Sequence, residues 1–252
     1  MKKLCILLAL LPLSVWAQIN TQCPQFTVGG TPTYQAQPGD QELCKTNYAV
    51  IHRCSVKAPV AVFEHLTLAA INGPAKRKDN FRADPAVTAN CQATLADYAT
   101  VGRTHDRGHM APAADFVSDA KLMSESFFLS NMMPQNQGNN RGIWKYTEET
   151  VRAWALKSDV YAITGTHYDA GYKTMGNGVG IPSHIYKIVI QPANKRIIAF
   201  WYPNEKLDPK QISKYVVSVA DIETKTGIDF SPAIPADLKH LETTVSKYED
   251  WN

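Results

Sequence analysis

The chain has 252 residues, of which 44% are hydrophobic and 19% are charged, and it contains 14 Gly and 15 Pro. These proportions are typical of a globular protein and exclude a disordered, a collagen-like and a multi-pass membrane chain. The formal net charge is only +3, so a surface that binds a polyanion must be local rather than global.

The first 17 residues have the pattern of a signal peptide. A basic head at Lys2 and Lys3 precedes an apolar run from Leu4 to Val15, and a small residue, Ala17, follows. The run is too short to span the roughly 30 Å of a bilayer core. We therefore predict a signal peptide over residues 1–17, a single domain over 18–252, and a secreted or periplasmic location.

Four cysteines follow the predicted signal peptide, and all lie in the N-terminal part of the chain: Cys23, Cys44, Cys54 and Cys91. In an exported chain they most simply form two disulfides, for which three pairings are possible. A zinc site is the alternative, but no C-x-x-C pair or closely spaced set of His and Cys is present. The sequence favours two disulfides and leaves their pairing open.

The first half of the chain contains two predicted strands, at residues 43–57 and 58–68, where β-branched and aromatic residues concentrate. Residues 69–106 are polar and contain breakers such as Pro74 and Pro85, so they are predicted to form a long connection. Long connections in compact domains are often functional. Ser118 and Asp119 then predict the N-cap of a short helix.

In the second half, apolar residues at helical spacing predict a helix from Asn140 to about Lys157. Strands are predicted over residues 160–164, 185–190 and 197–201, and the last two are joined by a turn at 192–195. Two further helices are predicted near 209–224 and 236–248. This order indicates the α+β class, with a central, mostly antiparallel sheet flanked by helices.

Several common catalytic signatures are absent, including G-x-S-x-G, H-E-x-x-H and G-x-x-x-x-G-K. The chain instead contains D-R-G-H at 106–109, S-N-M-M-P-Q at 130–135, and N-R-G-I-W at 140–144 with Glu148 four residues further on. Together with G-I-P-S-H-I-Y-K at 180–187, these segments resemble the DNA/RNA non-specific endonucleases with a ββα-metal (His-Me) finger. The resemblance covers roughly residues 45–225.

The resemblance implies a ββα-metal finger nuclease fold and an endonuclease that hydrolyses phosphodiester bonds of DNA and RNA with little sequence specificity. His109 is the expected general base, a role that suits a side chain with an unperturbed pKa near 6.5. Arg107 lies two residues earlier, so on an extended segment it would point to the same face and bind phosphate. Asn131, at the end of its strand, would orient the cluster or touch substrate.

The resemblance also implies a single metal ion, Mg²⁺ or in its place Mn²⁺, held directly by the amide oxygen of Asn140. Asn140, Trp144 and Glu148 are spaced i, i+4 and i+8, which places them on one flank of the predicted helix. Glu148 would then hold metal-bound water, while Trp144 packs the helix down. An upstream arginine usually helps to stabilise the family's transition state, and here Arg82 is preferred over Arg77.

Two other functions remain open from the sequence. One is a catalytically inactive exported protein that binds nucleic acid, although such a protein would not need His109, Asn140 and Glu148 together. The other is a disulfide-stapled cell-surface interaction protein unrelated to nucleic acid. The basic patches, residues 76–78 with Arg82 and Arg103 with Arg107, do not decide between them, because a charge run is usually a solvated face.

Overall fold

We describe the fold from a computed structural model, over residues 22–99 and 104–251. The predicted signal peptide and Arg103 lie outside these residues. Within them, no helix is both long and apolar enough to cross a membrane.

The described residues form eleven strands. They are β1 (Gln41–Cys44), β2 (Tyr48–Arg53), β3 (Ala58–Leu66), β4 (His105–His109), β5 (Met132–Asn136), β6 (Val160–His167), β7 (Thr174–Met175), β8 (Val179–Gly180), β9 (His184–Gln191), β10 (Arg196–Pro203) and β11 (Val216–Val217). Seven of them make one sheet in the spatial order β1-β2-β3-β6-β9-β10-β11. Every neighbouring pair in it is antiparallel, as the sequence predicted.

The central strands are buried on both faces because an apolar core packs on each side of the sheet. On β9, Val189 belongs to one core, whereas its neighbours Ile188 and Ile190 belong to the other. On β10, Phe200 and Ala199 are divided in the same way. This follows from the alternation of side chains along a strand.

Five short α-helices lie within the described residues, beside several 3₁₀ helices. They are α1 (Leu95–Ala99), α2 (Ala120–Glu125), α3 (Gln137–Asn139), α4 (Lys145–Ala155) and α5 (Val219–Thr226). The predicted N-cap of α2 is confirmed, because the Asp119 carboxylate accepts hydrogen bonds from the backbone N–H groups of Lys121 and Leu122 at 2.6 and 3.2 Å.

The helix predicted from Asn140 to Lys157 is interrupted. Asn140–Trp144 forms a π-helical turn in which Gly142 has φ −110° and ψ −110°, and the regular helix α4 begins only at Lys145. A π-turn inserts an extra residue into the helical repeat, so side chains before and after it do not keep α-helical spacing. The segment is helical as predicted, but its i, i+4, i+8 geometry is not regular.

The two predicted C-terminal helices are largely wrong. Residues 209–215 form a 3₁₀ helix, and β11 then pairs with β10, so only Val219–Thr226 is α-helical. The second prediction, 236–248, holds only a 3₁₀ helix at Ala236–Leu241 and another that begins at Tyr248. Three consecutive β-branched residues, at 243–245, disfavour a helix there.

Two disulfides join the four cysteines that follow residue 17. The pairs are Cys23–Cys44 and Cys54–Cys91. The second pair attaches the long connection between β3 and β4 to the turn that follows β2.

The same connection is held at two further points. At Asp84, a fully buried carboxylate pairs with Lys45 Nζ at 2.6 Å and accepts a hydrogen bond from Ser130 Oγ. At Arg82, the backbone bonds to the segment before β5, with its N–H donating to Phe127 O at 3.3 Å and its carbonyl accepting from Leu129 N–H at 2.9 Å. Residues 67–99 of this connection are therefore attached to the rest of the fold although they contain little regular structure.

Candidate active site

The D-R-G-H motif lies on a two-stranded ribbon, β4 paired with β5, beside the main sheet. Arg107 and His109 are two residues apart on a strand, as predicted, so they share one face. Between them, a Cβ on Gly108 would collide with Gln135, coming within 2.6 Å of its Cβ. Gln135 is fully buried and donates to Asn139 Oδ1 at 2.9 Å, so this close approach requires glycine.

The motif residues meet at a cavity of about 480 Å³ between the ribbon and the helical segment that ends in α4. Its walls include four residues expected from the sequence: Arg107, His109, Asn140 and Glu148. They also include four further cationic side chains: Arg77, Arg141, Lys145 and Arg152. A concave site lined mainly by positive charge suits an anionic ligand such as a phosphate diester.

His109 is a buried base with an uncommitted nitrogen. Its ring packs against Phe127 and Phe81, with centroid distances of 4.9 and 5.6 Å. Its Nε2 is buried and makes no hydrogen bond with the described residues. Burial, and then the charges of Arg77 and Arg107, lower the pKa of His109 to about 3. The imidazole is therefore neutral at pH 7 and able to accept a proton.

Asp106 orients the side chain of Asn140. Asn140 Nδ2 donates to Asp106 Oδ2 at 2.9 Å, and Arg141 binds both oxygens of the same carboxylate at 2.9 and 2.7 Å. Burial opposes ionisation of Asp106, but the hydrogen bonds from Arg141 and Asn140 outweigh it and lower its pKa. Because the amide nitrogen faces a carboxylate, the amide oxygen is left as the ligand atom, of the kind that hard divalent cations prefer.

Glu148 supplies a second oxygen donor to the cavity. Burial raises the pKa of this carboxyl group to about 7, although Lys187 and Arg152 oppose the shift. Trp144, predicted to pack the helix down, is fully buried, and its ring lies 6.1 Å from that of Tyr202 and 5.3 Å from Lys187 Nζ. The amide and carboxylate oxygens thus line one cavity, while the indole lies behind them.

Asn131 is not part of the cavity wall. It ends a 3₁₀ turn, Leu129–Asn131, rather than lying at the end of a strand as predicted. Its fully buried Oδ1 accepts from Ala111 N–H at 2.9 Å, and its Nδ2 donates to Ala111 O at 2.8 Å and Ser126 O at 2.9 Å. Its side chain therefore holds the backbone just after His109 in place.

The two candidate upstream arginines lie at different places. Arg77 lines the cavity, with its guanidinium carbon 5.1 Å from the centre of the Phe127 ring. Arg82, which sequence analysis preferred, lies in a neighbouring groove, where it donates to Ser124 O at 2.8 Å and stacks 4.0 Å from Phe128. Of these two upstream arginines, only Arg77 lines the same cavity as His109.

Sequence analysis missed Arg152. It lies on α4, four residues after Glu148, and lines the same cavity. Its Nη1 donates to Asp115 Oδ1 at 2.8 Å, and this carboxylate is only 3% exposed. The i, i+4 spacing from Glu148 was the available signal, since such residues share one helix face.

Comparison with known proteins gives a consistent assignment. Residues 29–237 match the family model described as DNA/RNA non-specific endonuclease. The mitochondrial nuclease EXOG of Danio rerio is 34% identical over 217 residues, which cover 79% of this chain but only 63% of that protein. A nuclease of Nostoc sp. is 32% identical over 224 residues, 84% of this chain and 80% of that protein.

Structural similarity agrees with the sequence matches. A chain in the crystal structure of the EndoG/EndoGI complex aligns with a TM-score of 0.73 at 27% identity, covering 87% of this chain and 94% of that one. The mixture of helices and antiparallel sheet is that of a ββα-metal nuclease. This chain therefore belongs to the DNA/RNA non-specific endonuclease family.

Proposed function

We propose that the protein is an exported, Mg²⁺-dependent endonuclease that hydrolyses phosphodiester bonds of DNA and RNA with little sequence preference. The observation that carries this proposal is the buried Nε2 of His109, which makes no hydrogen bond with the described residues in a cavity lined by arginines. A buried polar atom without a partner is costly unless a ligand or water satisfies it.

The protein side chains supply the proton transfer and the charge compensation. Neutral His109 takes a proton from the attacking water, and Arg77 and Arg107 bind the phosphate and offset the charge that develops on its oxygens. Their positive charges contribute to the low pKa of His109 in the free protein. Binding of a phosphate anion between them would raise this pKa toward the range suited to a general base.

The site also fits a divalent cation, which nucleases of this family use. Asn140 would hold the ion through its amide oxygen, and Glu148 would hold a water molecule beside it. Such an ion, when bound, offsets charge on the phosphate and supplies a bound water as a proton source for the leaving oxygen. Mg²⁺ is the proposed ion because the available donors are oxygens.

Export is supported by two observations. The sequence pattern of residues 1–17 is that of a signal peptide, and the four cysteines beyond it pair as two disulfides. Structural disulfides form mainly in oxidising compartments. We propose that residues 18–252 are the mature nuclease.

The test is degradation of plasmid DNA and of total RNA by the purified protein, in Mg²⁺ or in EDTA. We expect EDTA, His109→Ala and Asn140→Ala each to abolish cleavage, with losses of about 10²-fold or more for the general base. His240→Ala, which changes an exposed histidine elsewhere, is the matched control and should remain active. A wild-type protein that binds DNA but leaves it intact with every divalent cation would favour the inactive binding protein.

A further inference from the structure

A second positively charged groove lies beside the candidate active site. It has a volume of about 450 Å³, and its lining includes Lys76, Lys78, Arg82 and Lys121. None of these four side chains lines the catalytic cavity. The proposed function therefore does not use the groove.

The groove begins where the catalytic cavity ends. Arg77 lines the cavity, whereas its two neighbours in sequence, Lys76 and Lys78, line the groove. The arginines of the two sites also stack on consecutive residues, Arg77 on Phe127 and Arg82 on Phe128. The two depressions are therefore lined by neighbouring residues of the same segment.

The groove has two walls from distant parts of the sequence. Lys76 and Lys78 belong to the long connection after β3, and Lys121 belongs to α2. Arg82 joins the walls, since its Nη1 donates to Asn80 O at 3.1 Å on one side and to Ser124 O at 2.8 Å on the other. This tie holds the two walls of the groove together.

The lysines of the groove carry uncompensated charge. Among the described residues, no carboxylate lies within 4 Å of the ammonium group of Lys76, Lys78 or Lys121. The carboxylate in the lining, Glu125, instead accepts hydrogen bonds from the backbone N–H and the hydroxyl of Thr46 at 2.9 and 3.1 Å. An exposed cluster of this kind attracts a chain of phosphates.

We propose that this groove binds the phosphates of the nucleic-acid strand that flank the scissile phosphate on one side. The proposal rests on the proposed function for the position of the scissile bond. Lysines bind phosphate as compact point charges on flexible stems. Contacts to the backbone position a strand without reading its sequence, which agrees with low specificity.

The test is binding of a labelled single-stranded DNA of about 30 nucleotides in EDTA, measured by fluorescence anisotropy at several salt concentrations. Each phosphate contact to a single strand contributes about 0.7 to the slope of log K against log salt. We expect Lys76→Ala/Lys78→Ala to reduce the slope by about 1.4, and the addition of Lys121→Ala to reduce it by about 2.1 in total. If the plots of log K against log salt for the wild type and the double variant meet at 1 M salt, the double variant should bind roughly 25-fold more weakly at 0.1 M salt.

The matched control is Lys225→Ala/Lys239→Ala, two exposed lysines whose segments pack on the core of the opposite sheet face. This variant should keep the wild-type slope. The proposed role of the groove is overturned if the Lys76→Ala/Lys78→Ala variant keeps the wild-type slope of log K against log salt. It is also overturned if the wild-type protein does not bind the DNA. If the addition of Lys121→Ala reduces the slope no further, the proposed phosphate contact from the α2 wall is wrong. Because EDTA suppresses cleavage, the binding measurements do not depend on catalysis. If the protein binds DNA but leaves it intact in Mg²⁺, the proposed nuclease activity is contradicted, whereas the proposed binding groove is not.

Discussion

The side-chain amide of Asn140 is hydrogen-bonded to Asp106 across 34 residues of sequence, with 2.9 Å between Nδ2 and Oδ2. This bond fixes which end of the amide faces the carboxylate and leaves the oxygen for a cation. We expect Asp106→Ala to weaken the affinity for Mg²⁺ by about 10- to 100-fold, the usual effect of losing a residue that orients a metal ligand. The measurement is the Mg²⁺ concentration that gives half-maximal cleavage.

Asp237→Ala is a suitable control for this prediction, because Asp237 is exposed and lies outside the cavity lining. Its Mg²⁺ dependence should equal that of the wild type. If the Asp106→Ala variant shows the same dependence of cleavage on Mg²⁺ concentration as the wild type, Asn140 does not need the Asp106 carboxylate to orient its amide.

The positions of Arg77 and Arg82 predict different kinetic effects. Arg77→Ala removes a cation from the catalytic cavity, so kcat should fall by about 10²-fold. Arg82→Ala removes the tie between the groove walls, so KM for long DNA should rise more than kcat falls. Steady-state kinetics of both variants on one DNA substrate separate these effects. If Arg82→Ala lowers kcat as much as Arg77→Ala does, Arg82 would again be a candidate for the arginine that stabilises the transition state.

His109 should make the protein sensitive to acid. Its pKa is about 3 when folded and near 6.5 when unfolded, so below pH 6.5 the unfolded state binds a proton that the folded state does not. The contribution of His109 to the free energy of unfolding is therefore fully present above pH 6.5 and is lost as the pH falls toward 3. By pH 5 the loss from this group is about 2 kcal/mol.

The measurement is urea unfolding at pH 7 and pH 5, in EDTA and without phosphate. His109→Gln should lose about 2 kcal/mol less than the wild type between these two pH values. His240→Gln, a change at an exposed histidine, should behave like the wild type. The prediction is wrong if His109→Gln and the wild type lose the same free energy of unfolding.

Glu148 should have the opposite effect on stability. Burial raises its folded pKa from 4.5 to about 7, so between these values the folded state retains a proton that the unfolded state has lost. The free energy of unfolding then decreases as the pH rises from 4.5 to 7. Glu148→Gln should be inactive yet more stable at pH 8, by up to about 3 kcal/mol. Denaturation of the metal-free protein measures this gain, and a less stable variant would contradict it.

Asn131 should matter for stability more than for the chemical step. Asn131→Ala removes three buried hydrogen bonds to Ala111 and Ser126, which should cost about 3 kcal/mol in unfolding free energy. Asn177→Ala, at an exposed asparagine, is the control and should cost little. If Asn131→Ala folds with wild-type stability but loses kcat as His109→Ala does, the role expected from the sequence, orienting the cluster or touching substrate, would stand.

The sequence predicted the parts of the site that depend on local order. Arg107 and His109 needed only strand alternation to share a face, and the strand is present. Asn140 and Glu148 were expected together on a regular helix, and they do line one cavity. Their meeting depends instead on a π-turn around Gly142, which periodicity does not reveal.

Other features depend on contacts between distant segments. Arg77 and Arg82 both lie in a polar connection without periodic pattern, and only the contacts of Arg82 with Ser124 and Phe128 turn it away from the cavity. Arg152 was overlooked because its partner, Asp115, is 37 residues earlier. The disulfide pairing was undetermined for the same reason, since spacing alone allowed three arrangements.

The connection between β3 and β4 forms one wall of the catalytic cavity, and it is attached at Cys91, Asp84 and Arg82. A wall with so many attachments has few conformations to give up when a strand arrives, so little binding energy is spent on ordering it. Residues 67–99 of the connection form a fixed wall rather than a lid that closes over the substrate. Substrate binding is therefore expected to leave this segment in place, unlike enzymes in which a lid must close over the substrate.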